Sequence, residues 1–232
     1  MRITTIASGS SRNCYVLTDS YNNSLIIESG RGTFEDALKV IPDINKIAGV
    51  LISHKHSDHY FDADYWIKYG IKVYTPDNME HAEQFNLACA GMVPFSVIPL
   101  AVEHDPGILC FAFFIRANYE GKNLFFATDC YNYSRIIDAL PEPLSLALIE
   151  VNHDAHILDT GSYPADLKER VRKSHCSVQR ASLAVQRAKC QRFLLIHPSA
   201  HNINQEEALK LLRDEFPNRS FEFARPGLVL EV

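Results

Sequence analysis

The 232-residue sequence predicts an α/β sandwich, two β-sheets packed face to face with helices on their outer sides. Three observations predict it. Apolar β-rich runs are interspersed with amphipathic helical runs. A β-rich half carrying a few helices is followed by a second half of the same kind. Polar, chemistry-bearing clusters sit just behind several strand ends, so a sandwich would gather them along one edge. No repeat, linker or low-complexity stretch marks a boundary, and residues 1–232 are expected to form a single domain.

The elements follow in order. "RITTIA", "CYVLTD" and "SLIIES" are β-rich and bounded by Gly, Ser and Asn clusters. "TFEDALKVI" has helical spacing behind Thr33 as N-cap and stops at Pro42. "IAGVLIS" reads as a buried strand. A helix near 62–69, a strand "KVYT" and a helix from about Asn78, behind Pro76-Asp77, come next. Strands "FSVIPLAV", "LCFAFFIRA" and "NLFFAT" follow, the last two joined by a turn at "NYEGKN". "SLALIEV" is a strand, and "PADLKERVRK" and "SVQRASLAVQRA" are helices. "RFLLIH" is a strand, "NQEEALKLLRDEF" an amphipathic helix, and "SFEFA" and "LVLEV" close the chain.

Composition narrows the function classes. Hydrophobic residues make up 47% and charged residues 22%, ordinary for a soluble globular protein. No run approaches the roughly 18 apolar residues of a membrane helix, and the N-terminus lacks the apolar stretch of a secretory signal. Cys14, Cys89, Cys110, Cys130, Cys176 and Cys190 are scattered without a CxxC pair, which points to reduced, mostly buried thiols and a cytoplasmic protein. The net charge of −5 gives no overall basic excess for sequence-independent binding to long nucleic acid. One segment is locally basic: Lys168, Arg170, Arg172, Lys173, Arg180, Arg187, Lys189 and Arg192. It is either a solvated helix face or a rim that attracts phosphate.

The sharpest signal is "HKHSDH", which begins at His54 just behind a strand. His54 and His56, two apart on extended backbone, point to one side and can chelate one ion. Asp58 and His59 belong to a turn, where adjacent side chains are expected to diverge and reach a second ion. Imidazole and carboxylate suit Zn, Mn or Fe, and no thiolate is offered nearby.

"HKHSDH" resembles the HxHxDH signature of the metallo-β-lactamase fold, and the likeness extends along nearly the whole chain. His104 in "AVEHDPGILCFAFFI", Asp129 in "NLFFATDCY" and His197 in "RFLLIHPSAHN" resemble the later ligand positions in order. "ASGSSRNC" is similar to the opening Ser/Gly turn. The resemblance implies a four-layer αββα sandwich. It also implies two divalent ions (Zn2+ or Mn2+), one on His54, His56 and His104, the other on Asp58, His59 and His197, bridged by Asp129. "LIEVNHD", "YPADLKERVRKSHCS" and "LLIHPSAHN" are similar to the YycJ-type metallohydrolases, reported nucleases, and the Glu150 and His175 segments to the tRNA 3′-processing endonucleases. There are departures. Glu28 stands where the family usually has Asp and is expected to brace the ligand loop. Arg12 replaces a glycine and would be strained at a positive φ. No insertion matches the tRNA-gripping arm.

Two ions sharing a water would lower its pKa and present hydroxide to phosphorus, with Asp58 as ligand and base at once. His175 and His153 are the candidates for neutralising the phosphate oxygens and protonating the leaving alkoxide, and Glu150 is expected to hold one of them protonated. His175 also precedes an amphipathic helix whose N-terminal amides can face an anion. His81 is expected in a helix and exposed; His156, His201 and Cys130 lie near site segments, and Tyr131, Tyr133 and Tyr163 flank it. The function these features imply is a dinuclear phosphodiester hydrolase, a nuclease on single-stranded or short nucleic acid. Its alternatives are a cyclic-nucleotide phosphodiesterase similar to the anti-Pycsar enzymes, a β-lactam or thioester hydrolase, and a metal-binding protein without turnover. The implied partner is a nucleic-acid or nucleotide substrate, with no membrane; a homodimer stays open.

Overall fold

Alternation of side chains along the strands builds the core. In a computed structural model describing residues 1–79 and 81–232, the described residues form a six-stranded and a seven-stranded sheet. The first runs β13 (Val229–Glu231), β1 (Arg2–Ala7), β2 (Cys14–Thr18), β3 (Ser24–Ile27), β4 (Ile47–Leu51), β5 (Val73–Tyr74). The second runs β12 (Ser220–Phe223), β11 (Arg192–Ile196), β10 (Leu146–Glu150), β9 (Lys122–Ala127), β8 (Cys110–Ala117), β7 (Met92–Val102), β6 (Phe85–Cys89). Leu25 and Ile27, Leu124 and Phe126, Leu146 and Leu148, and Leu194 and Ile196 point between the sheets into one shared core. Their neighbours Phe125, Ala147, Ile149 and Leu195 point outward. There they meet helices α5 (Ser134–Asp138), α8 (Val178–Arg187) and α9 (Gln205–Glu215). On the other side Val16, Ile26 and Val50 meet α1 (Phe34–Val40) and α3 (Ala63–Lys68), centred on fully buried Trp66. The result is the αββα order of layers.

Strand direction positions the site. β3 and β4 are parallel, as are β9, β10 and β11. β7 is antiparallel to β8, which is antiparallel to β9, so β7 runs with β9. The carboxyl ends of β7, β9, β10 and β11 therefore share one edge, and those of β3 and β4 share another.

Several local expectations change. Thr33 occupies the N-cap position of α1 but its hydroxyl donates to the Gly30 carbonyl (2.8 Å). The amides of Thr33 and Phe34 are capped instead by the Asp62 carboxylate, at 2.7 and 3.0 Å. The helix expected from about Asn78 is the short α4 (Pro76–Met79), and exposed His81 lies outside it. β6 was not expected: it pairs with β7 through Ala90 (φ 48°) and Gly91 (φ 76°), a two-residue hairpin turn whose first residue is an unusual one for positive φ. Short helices α2 (Ser57–Tyr60) and α6 (Ala155–Thr160) also go beyond the sequence pattern, whereas α7 (Ala165–Ser174) falls where a helix was expected.

Candidate metal centre

The strand ends deliver chemical groups to the same place, four of them from the segment behind β4. Beyond β4, His54 and His56 lie on extended backbone with His54 Nε2 3.1 Å from His56 Nδ1. His104, beyond β7, brings its Nε2 to 3.2 Å from the same His56 nitrogen. Asp58 and His59 sit on α2, and their ligand atoms converge at 3.0 Å rather than diverging. Asp129 follows β9 and His197 follows β11. Asp129 Oδ2 is 2.8 Å from His59 Nε2 and 3.5 Å from His197 Nε2, which is itself 3.3 Å from Asp58 Oδ2.

Two sets of three ligand atoms thus form, His54–His56–His104 and Asp58–His59–His197, each mutually within 4.8 Å. Asp129 groups with His54 and His59, and separately with His175, His197 and Glu150. Metal–nitrogen bonds of about 2.0–2.1 Å give a tetrahedral site an edge of about 3.3 Å, close to the observed nitrogen separations. The outward nitrogens are held as well. His104 Nδ1–H donates to the Ser174 carbonyl (3.3 Å), and His54 Nδ1 bonds Ser53 Oγ (2.9 Å). His197 Nδ1 faces Glu150 Oε1 at 3.4 Å, and His59 Nδ1 faces Glu28 Oε2 at 3.5 Å. The inward nitrogens of His54, His56 and His104 face one another, and those of His59 and His197 face the Asp58 and Asp129 carboxylates; partners on the outer nitrogens are what orient imidazole ligands.

Electrostatics agree with that donor set. Burial, with the charge of His59, pushes His54 well below the ordinary imidazole range, and burial lowers His104 too, so both rings are neutral as ligands must be. Burial would raise the Asp58 and Asp129 carboxyls, but hydrogen bonds from His197 and His59 hold Asp58 low, and the charges of His197, His59 and His175 hold Asp129 low. Burial opposes protonation of His197, yet Asp129, Asp58 and Glu150 together raise it to about 9. Protons on imidazole here balance converging buried carboxylates, a balance that divalent cations supply equally well. The residues fit a pair of metal ions.

Glu150, at the end of β10 and fully buried, ties the centre to its surroundings. Its Oε2 accepts the amides of Cys130 and Cys176, both at 3.2 Å, and its Oε1 accepts from His175 Nδ1 at 2.8 Å. The same His175 nitrogen is 3.0 Å from Asp129 Oδ1, and the ring stacks on His197 with centroids 5.4 Å apart. His175, Asp58, His56, His104 and His197 line one cavity of about 350 Å³.

Other expectations fare differently. His153 does not line that cavity; its ring is buried with Nδ1 unpartnered, and burial lowers it to about 4, which leaves it without a proton to give at neutral pH. The first amides of α8 are already taken, Val178 by the His153 carbonyl and Arg180 by Ser177 Oγ, so they do not await an anion. Burial pushes the Cys130 thiol up to about 12, and Cys130 belongs to none of the groups of ligand atoms that converge here among the described residues. Tyr133 is buried, donating to the Glu150 carbonyl (2.9 Å), and His156 and His201 are exposed. Arg12 has no positive φ, so the expected strain is absent there.

Sequence reasoning passed over two contributors, Asn13 and Asn152, and named a third, Arg170, only within the basic segment. Asn13 brings its amide nitrogen to 3.3 Å from His59 Nε2 and bonds Gly9 in both directions at 3.0 Å. Asn152 donates to the His197 carbonyl (3.0 Å). Arg170 lines the cavity. The asparagines stand inside "SSRNC" and "EVNHD", where a buried amide beside a ligand loop was the available signal.

Comparison with known proteins agrees with this geometry. The profile described as the Beta-lactamase superfamily domain matches residues 15–198. Exodeoxyribonuclease YycJ of Bacillus anthracis is 28% identical over 190 residues, 74% of this chain and 70% of that protein. Among solved structures, the metallo-beta-lactamase fold protein YhfI of Bacillus subtilis superposes with a TM-score of 0.72 at 18% identity, covering 99% of both chains. The short form of human tRNase Z gives 0.65 at 16% identity over 100% of this chain and 99% of that one. At those identities the two structures speak for the fold.

Proposed function

The chain belongs to the β-lactamase superfamily, and on that premise we propose that it is a dinuclear metal-dependent phosphodiester hydrolase, a nuclease acting on single-stranded or short nucleic acid. The observation that carries this reading is His175, held 2.8 Å from Glu150 and lining the same cavity as five of the seven candidate ligands, His56, Asp58, His104, Asp129 and His197. The relatives named as exodeoxyribonucleases support the substrate class.

In this reading His54, His56 and His104 would hold one ion and Asp58, His59 and His197 the other, with Asp129 offering its carboxylate to both. Two divalent ions, zinc or manganese, would supply water activation and charge neutralisation at phosphorus. Asp58, ionised and partly open to the cavity, orients the attacking water and takes up its proton. Glu150 and Asp129 accept from His175 Nδ1–H and so keep the ring charged, and the Nε2–H of that imidazolium is the proton given to the leaving alkoxide in the general-acid role. His153 is assigned no catalytic step.

We take residues 1–232 as one working unit, supported by the core shared between the sheets. Among the described residues no helix is long and apolar enough to cross a membrane. Six free cysteines, five of them buried, support a reducing, cytoplasmic setting. The test is metal-loaded protein incubated side by side with end-labelled single-stranded DNA, bis-p-nitrophenyl phosphate and 3′,5′-cyclic nucleotides. Cleavage of the DNA with release at its ends is expected. Turnover of cyclic nucleotides alone would transfer the site to a small-molecule phosphodiesterase, and no cleavage of any diester would end the proposal.

A further inference from the structure

A second cavity, about 570 Å³, opens beside the candidate metal centre and shares His104, Asp105 and Arg170 with it. The end of α7 and the start of α8 wall it with Arg172, Lys173 and Arg180, opposite Tyr131. Four of the eight cations of the basic segment, Arg170, Arg172, Lys173 and Arg180, therefore lie beside the centre, whereas Lys168, Arg187, Lys189 and Arg192 do not line the groove. Its cations are not equivalent. Arg172 is bound to Asp159 and lies 3.5 Å from Glu169, and Lys173 lies 3.0 Å from Glu169. Arg170, exposed, makes no ion pair among the described residues and is the one cation lining both cavities. Arg180 donates to the Arg172 carbonyl (2.8 Å), which ties α8 to α7 and fixes its guanidinium 4.8 Å from the centre of the Tyr131 ring.

We propose that this groove carries the polynucleotide strand flanking the scissile phosphodiester, with a neighbouring phosphate on Arg170 and a base against the Tyr131–Arg180 pair. It rests on the phosphodiesterase reading of the adjoining centre and deepens it by selecting a strand over a cyclic mononucleotide. An unpaired guanidinium beside a site for phosphorus chemistry is matched to the fork of phosphate oxygens. Aromatic rings and guanidinium planes accept any base by stacking, so such a track needs no sequence preference. A cyclic mononucleotide would be contained in the centre's own cavity and leave the groove unused. Four cations, Arg170, Arg172, Lys173 and Arg180, line the groove against three carboxylates, Glu103, Asp105 and Glu169, and Glu169 is paired with Arg172 and Lys173, so the groove carries a local basic excess on an acidic chain.

The test uses the full metal-loaded chain and two diesters, bis-p-nitrophenyl phosphate and a labelled single-stranded DNA of about twelve nucleotides, within the site sizes such tracks show. For Arg170→Ala combined with Arg180→Ala, the ratio of DNA to small-diester kcat/KM is expected to fall about tenfold or more. The slope of log KM for DNA against log salt should flatten by about one. Arg170→Ala alone, at an exposed helix position without a partner, should give part of the loss and guards against misfolding of the double variant. Lys210→Ala, which removes a charge from exposed α9, should leave ratio and slope unchanged. The inference is overturned if both Arg variants keep the wild-type ratio and slope. It is also overturned if wild type cleaves the small diester or cyclic nucleotides with no gain on DNA; in either case the proposed chemistry of the centre stands. A fully metallated wild type inert to every diester removes the phosphodiesterase reading, and this inference with it.

Discussion

Glu28, Asp129 and His197 follow β3, β9 and β11, and each holds φ between 48° and 65°, a region that side chains other than glycine enter at a cost. Such residues persist where their surroundings over-determine them. The Glu28 amide donates to the Leu51 carbonyl (2.8 Å), and the His197 amide to Ser8 Oγ (3.0 Å). The left-handed step turns each side chain away from the direction of its strand and into the centre. His175 is held differently, by two carboxylates on one nitrogen. His175→Ala should keep the bound metal, because the seven proposed ligands do not include it, while turnover of DNA falls by about two to four orders of magnitude. Turnover within a few-fold of wild type would remove His175 as the acid, and equal loss of metal would make it a ligand. The ligand residues were legible because histidines and aspartates behind strands are few. Asn13 and Asn152 were less so, since their service is to hold other side chains and a single buried amide leaves no spacing pattern; Glu28 was picked out as a brace, and it accepts the Ser53 amide at 3.2 Å.

Among the elements, the loop from β3 to α1 is packed most tightly against the ligand helix. A Cβ at Gly30 would lie 2.2 Å from the Asp58 carbonyl oxygen and 2.8 Å from the Asn13 amide. Both neighbours are backbone, so neither can rotate away. Gly30→Ala should destabilise the protein by about 1–3 kcal/mol, the usual range for overpacking, and lower Tm by several degrees. Because the clash falls on α2, metal retention should weaken in the same variant. Thermal unfolding with wild-type Tm and full metal content would show that the loop has room to shift. Helices α1, α7, α8 and α9 were legible from their helical period, although the cap expected at Thr33 is supplied by Asp62 and the Asn204 cap, which accepts the amides of Glu206 and Glu207, was not read from the sequence. β6 was not, because its turn has Ala90 where Asn or Asp would have announced a hairpin. α2 spans four residues, too few for a helical period to register.

At the scale of the whole molecule, two sheets bury one shared core and send co-directional strands to a common edge, and the chemistry follows from that edge. The sandwich and the order of the ligands were readable because alternating apolar strands ended repeatedly in polar clusters. The placement of the basic α7–α8 segment beside the centre was not, since charge along a helix does not say which way the helix faces. The central claim is that side chains from β4 to β11 meet around two cations. Metal content per chain after loading with zinc or manganese and desalting tests it most directly, measured on wild type and His56→Ala in parallel. Two ions per wild-type chain, with His56→Ala losing metal and activity together, is the expected result. A wild-type chain that retains none, or a His56→Ala variant that retains as much as wild type, would contradict it.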